Sequence, residues 1–184
     1  DGAILAYVGA AAQGDAEGAW LDLARARRQP GSTLKPFVYE LLFERGGTPA
    51  TVLDDLSRPM VGSEGTLFVA RDYDGRERGP VRAREALAAS LNLAALDAAR
   101  RVGAERIVDR LGALGVEDLE GADHYGAAIV LGGADVSALE LAQAYATLAR
   151  GGSRVPASFG GAGTAAPVMG ASAAGLRADV RPDR

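Results

Sequence analysis

Between Pro30-Gly31 and Gly46-Gly47, the residues Leu34, Phe37, Val38, Leu41 and Leu42 recur at the three- and four-residue spacing of one helical face. This segment predicts a helix that constrains the fold more than any other, because an apolar stripe of this kind must be covered by further elements. At about 100° per residue, Leu34, Phe37, Val38 and Leu41 share one direction, and Ser32, Lys35 and Tyr39 cluster about 180° away. Ser32 and Lys35 are therefore expected on a common face.

The remaining pattern is mixed. Gly2 to Gly9 is a short apolar run bracketed by glycines and reads as a buried strand, followed by a small, polar loop from Ala10 to Gly18. Thr48 to Gly79, with Pro49, Pro59 and several glycines, predicts irregular structure crossing the surface. Val81 to Arg101 is helix-rich but broken at Ser90-Leu91-Asn92, since Ser and Asn bond the backbone locally. Glu105 to Leu114 carries an apolar face and stops at Gly115. A capping box at Ser137-Ala138-Leu139-Glu140 opens a helix that Gly151-Gly152 ends. Gly160 to Thr164 lacks the flanks of a phosphate-binding loop and reads as a plain loop.

With 184 residues, one globular domain is expected. A formal charge of -4 gives no uniform basic surface for nucleic acid. The absence of cysteine and the single histidine, His124, exclude disulfide frameworks, cysteine catalysis and His/Cys zinc sites; neither metal nor cofactor is expected, and His124 is given no chemistry. The chain starts at Asp1 without a charged n-region or apolar h-region, so no targeting signal is read in it and both ends are expected to be cuts through something larger.

Within the charged residues one contrast points to chemistry: Lys35 is the only lysine among nineteen arginines. Arg keeps its proton in a protein, whereas a desolvated Lys can become a base. Ser32 precedes Lys35 by three residues, and the only asparagine, Asn92, follows Ser90 by two. Ser-x-x-Lys at a helix start puts a hydroxyl one turn from an amine able to take its proton, and Ser-x-Asn supplies a proton relay and an amide for a substrate carbonyl. Taken alone, Ser32 would be an ordinary helix cap and Lys35 a solvated side chain. The scarcity of Lys and the second motif favour the catalytic reading.

Arg28-Gln29-Pro30-Gly31-Ser32-Thr33-Leu34-Lys35-Pro36-Phe37 resembles the active-serine segment of class A (bifunctional) penicillin-binding proteins, R-x-P-G-S-T-x-K-P-F. Gly2 to Gly9 resembles the opening strand of their transpeptidase domain. Tyr73 to Leu96 resembles the region of the second motif, and Tyr125-Gly126, Leu131-Gly132-Gly133 and Leu139 to Gly152 follow the same pattern. The resemblance covers residues 1 to about 156, is most like the penicillin-binding protein 1C branch, and leaves 157–184 as a weakly matched tail. The third family motif, Lys-Thr-Gly, is missing, and Asp72 stands where the family usually has Asn, a departure expected to matter little.

The resemblance implies the α/β fold of penicillin-recognising serine enzymes, truncated before its C-terminal sheet strands. An unpaired edge at Ala3 to Val8 and incomplete cover for the helix at Leu34 to Leu42 are then expected. It also implies Ser32 as nucleophile, Lys35 as its base, and Ser90 and Asn92 as relay and substrate contact in a peptidoglycan D,D-transpeptidase acting on stem peptides and acylated by beta-lactams. The parent would carry a glycosyltransferase domain and a membrane anchor and work on the periplasmic face of the inner membrane. The alternatives are a D,D-carboxypeptidase or beta-lactamase, and an inactive truncated remnant.

Overall fold

The computed structural model describes residues 2–10, 20–61, 67–160 and 166–167. They form two compact units, Arg27–Val136 and, joined from both ends of the chain, Asp1–Ala26 with Ser137–Arg184. Most of the predicted 10–18 loop, the 160–164 run and the tail fall outside the described residues.

In the unit Arg27–Val136 a 3-10 turn, Gly31–Leu34, leads directly into α1 (Lys35–Glu44). Gly31 enters it at φ +57°, a conformation costly for residues with a Cβ. Pro36 sits in the first turn of α1, where its missing N–H costs nothing. There follow β1 (Val52–Asp55), β2 (Pro59–Val61), β3 (Leu67–Val69), β4 (Gly79–Arg82), α2 (Ala83–Ala88), α3 (Asn92–Val102), α4 (Ala104–Leu114), the short α5 (Ala122–Tyr125) and a second 3-10 stretch, Gly126–Leu131.

Packing converges on α3, which lies against α1, α2, α4, β1 and the Gly126–Leu131 turn, and α1 in turn lies against α2 and α4. Ala94, Ala95, Ala98 and Ala99 of α3 are fully buried, and side chains this small let the packed elements approach closely. The stripe read from the sequence is covered: Leu34, Phe37, Val38, Leu41 and Leu42 are all buried, so the expected gap in its cover does not exist. The opposite face is buried as well, at Lys35, Tyr39 and Glu40. Two side-chain bridges lock these elements together. Asp97 Oδ2 accepts from the Asp54 backbone N–H (3.0 Å) and from Arg101 (2.6 Å), tying α3 to β1. Arg110 of α4 reaches Glu40 (2.5 Å) and Glu44 (2.6 Å) of α1.

Thr48 to Gly79 is more regular than expected. β1 pairs antiparallel with β4, Val52 opposite Arg82 and Asp55 opposite Gly79, and β2 pairs antiparallel with β3, Pro59 opposite Val69. Strands of three and four residues are too short to establish a period-two pattern, and Pro59 lies at a strand end where it is tolerated.

In the other unit, α6 (Ala138–Ala149) begins at the predicted capping box: Glu140 N–H donates to Ser137 Oγ (3.2 Å) and Ser137 N–H to Glu140 Oε2 (2.7 Å). β5 (Ser153–Arg154) pairs antiparallel with β6 (Ala166–Pro167). The buried strand expected at Gly2 to Gly9 is not formed. A single bridge joins Ala3 to Ser158, and Leu5 and Val8 are 96% and 79% exposed. An apolar run specifies burial only where elements cover both its faces, and among the described residues none covers Leu5 or Val8.

Candidate active site

Lys35 opens α1 with its side chain inside the protein, 1% exposed. Its Nζ donates to Ser90 O (2.5 Å), Asn92 Oδ1 (2.8 Å) and Ser90 Oγ (3.2 Å). The two scarce residues of the sequence and both motif positions of Ser-x-Asn thus meet at one amine. Burial lowers the Lys35 ammonium below its ordinary range, and the negative charge of Asp72 acts against that shift. Of the three partners, only the Ser90 hydroxyl can either accept from the amine or donate to it, so it alone can carry a proton in both directions.

The turn that brings Ser90 there is strained. α2 ends in a cap with Ser90 N–H on Leu87 O (3.0 Å) and Leu91 N–H on Ala86 O (2.9 Å), and Ser90 occupies the left-handed position usually given to Gly, at φ +53°. That backbone turns the Ser90 carbonyl onto Lys35 and starts α3 at Asn92. Ser and Asn predicted the break between helices, and the positive φ is what their local pattern could not reveal.

The far side of the turn is held by Arg71 and Asp72. Asn92 Nδ2 donates to Arg71 O (2.9 Å). Asp72 Oδ1 accepts from the backbone N–H groups of Asn92 (2.5 Å) and Leu93 (3.2 Å), the first two amides of α3. Its Oδ2 meets Arg78 Nη1 at 3.1 Å, and Arg78 also reaches Asp55 Oδ2 (3.4 Å) and Asp74 (2.6 Å). Asp72 is buried and both its oxygens are engaged, at the position where little consequence was expected from the departure from Asn. The departure from Asn at this place was the signal, and its weight is visible only once α3 is seen to begin on its carboxylate.

Ser32 lies in the 3-10 turn immediately before Lys35 and is exposed, whereas the amine one turn on is buried. The turn is fixed from behind, since Thr33 Oγ1 donates to Pro30 O (2.7 Å) and a Cβ on Gly132 would collide with the Gly31 backbone. The structure brings Lys35, Ser90 and Asn92 together, while the exposed Ser32 hydroxyl, one turn before the amine, makes no hydrogen bond to Lys35 among the described residues. His124 is exposed on α5 with its ring edge-on to Tyr125 and makes none of the contacts described above.

A family profile described as penicillin binding protein transpeptidase domain matches residues 1–168. Penicillin-binding protein 1A of Neisseria gonorrhoeae is 35% identical over 136 residues, covering 71% of this chain and 16% of that protein. Among solved structures, penicillin-binding protein 1A of Haemophilus influenzae is similar with a TM-score of 0.68 at 29% identity, over 77% of this chain and 21% of that one. The PonA1 protein of Mycobacterium tuberculosis, solved in complex with penicillin V, gives a TM-score of 0.62 at 26% identity, over 74% of this chain and 39% of that one. The chain thus spans well under half of each of these relatives.

Proposed function

The chain belongs to the penicillin-binding protein transpeptidase domain family, with the 1A-type, class A members as relatives, and from that premise we propose that Ser32 is the acylated nucleophile of a peptidoglycan D,D-transpeptidase. The observation that carries the reading is the buried amine of Lys35, bound to Ser90 and Asn92 one turn after an exposed Ser32.

In this mechanism neutral Lys35 takes the Ser32 proton as Oγ attacks the carbonyl of the penultimate D-Ala of a stem peptide. The tetrahedral intermediate collapses with cleavage of the C–N bond, and the leaving D-Ala amine receives a proton through Ser90. The acyl-enzyme then passes to an acceptor amine, whose proton returns by the same route. A beta-lactam acylates Ser32 in the first step and stays attached. Asn92 orients the substrate through its side-chain amide. A D,D-carboxypeptidase or beta-lactamase would instead resolve the acyl-enzyme with water, so the ratio of amine transfer to hydrolysis separates these readings.

We place the site on the periplasmic side of the inner membrane, in a parent that also carries a glycosyltransferase domain and a membrane anchor, and we take residues 1–184 as part of its transpeptidase domain. The 1C position within the class rests on the resemblance of the motif segments alone. The sequence contains no Lys-Thr-Gly. In the resembled family the strand bearing that motif supplies one oxyanion-hole N–H, and acylation without such a donor is slowed roughly a hundred- to a thousand-fold.

Incubation with a fluorescent penicillin, followed by gel detection, tests the assignment. Slow labelling is expected, abolished in Ser32→Ala and also in Lys35→Arg, because Arg keeps the charge and cannot act as a base. Labelling that survives Ser32→Ala would overturn it.

A further inference from the structure

We propose that Asp72 is a positioning residue for Lys35 and the Ser90–Asn92 turn, acting through its carboxylate charge as well as through its hydrogen bonds; the proposal rests on Lys35 being the base of the proposed reaction. Asp72 is buried, and one of its oxygens holds the backbone N–H of Asn92, whose own side-chain oxygen takes a hydrogen bond from Lys35. The carboxylate and the amine are thus separated by a single residue.

The second oxygen explains why an acid stands here. An Asn at 72 could accept from the Asn92 and Leu93 amides, but its NH2 would then face the donors of Arg78. Asp72 and Arg78 therefore form a matched pair, and this pair places a negative charge at a position where the resembled segment is neutral. Asp55 of β1 shares the same guanidinium, and its Oδ1 is buried without a hydrogen-bond partner. Burial, with Asp72 as neighbour, holds the Asp55 carboxyl above the usual range.

The charged groups around the amine are few. Asp72 is the one whose charge acts on Lys35, while Tyr39, one turn further along α1, is pushed up by burial and by Asp55, Asp72 and Asp97. Burial drives Lys35 towards the neutral form that a base requires, and Asp72 opposes it. The balance sets the pH at which the amine becomes available.

Because Lys35 is the only lysine, a chain labelled with 13C-lysine gives one Cε signal, and its titration reads this amine directly without any need for turnover. Asp72→Asn keeps an acceptor for the two amides and removes the charge, so the midpoint should fall by about one pH unit, the lower end of the effect of a nearby opposite charge. Arg78→Gln leaves the Asp72 charge without its cation and should raise the midpoint. A role confined to holding the turn would lower thermal stability with unmoved midpoints, and that result would overturn the proposal. If Asp72→Asn does not fold, the direction of the Arg78→Gln shift decides. Shifted midpoints in a chain that penicillin never acylates would remove the transpeptidase reading and leave the coupling standing, whereas acylation with unmoved midpoints would do the reverse.

Discussion

At Ser90 the backbone sits at φ +53°, where an L-residue is disfavoured by about 1 kcal/mol relative to Gly. Ser90→Gly should therefore stabilise the chain by up to about 1 kcal/mol in thermal unfolding while slowing penicillin acylation, because the relay hydroxyl goes with the strain. Lys35 has its own stability signature. Its folded-state ammonium lies below the ordinary value of 10.5, so the unfolded chain binds more protons between the two. Stability should rise with pH through that window, and the slope should vanish in Lys35→Met when urea unfolding is followed across the range. Ser32, Lys35, Ser90 and Asn92 were legible in the sequence because two of the four are the only residues of their type in the chain. Asp72 was not, since an Asp before a Tyr-Asp-Gly turn looks like ordinary surface chemistry until the first amides of α3 are found on its carboxylate.

Among the elements, α1, α4 and α6 were readable because an apolar stripe, a glycine stop or a capping box each leaves a local mark. β1 to β4 left none in strands this short, and the apolar run at Gly2 to Gly9 promised a strand that its surroundings do not support. Nor does periodicity foresee the bridge from Arg110 to Glu40 and Glu44, which joins residues far apart in sequence. Burial, with Glu44 beside it, pushes the Glu40 carboxyl up to about 7 against the pull of Arg110. The folded chain then holds the extra proton between the ordinary value of 4.5 and about 7, so this group's contribution to stability is complete at low pH and is lost as pH rises through 7. Arg110→Met should cost roughly 3–5 kcal/mol, as expected for a buried pair left with one partner. The loss should be larger at pH 8 than at pH 5, where Glu40 can neutralise itself; chemical denaturation at the two pH values checks it.

At the scale of the whole molecule, the unit Arg27–Val136 contains all of the candidate residues Ser32, Lys35, Asp72, Ser90 and Asn92, with a buried apolar core. Slow hydrogen exchange is expected in α1 and α3. In the other unit, residues 2–8 make little ladder contact and expose Leu5 and Val8, and their amides should exchange fast. In the proposed reaction Lys35, made available by burial, activates Ser32. The most direct test is the rate of penicillin adduct formation as a function of pH, read by peptide mass spectrometry and set against the Lys35 Cε titration of the same chain. The expected result is an adduct on the peptide containing Ser32 alone, formed at a rate that climbs through the Lys35 midpoint. An adduct on any other residue, or a rate that stays flat while Lys35 loses its proton, would contradict it.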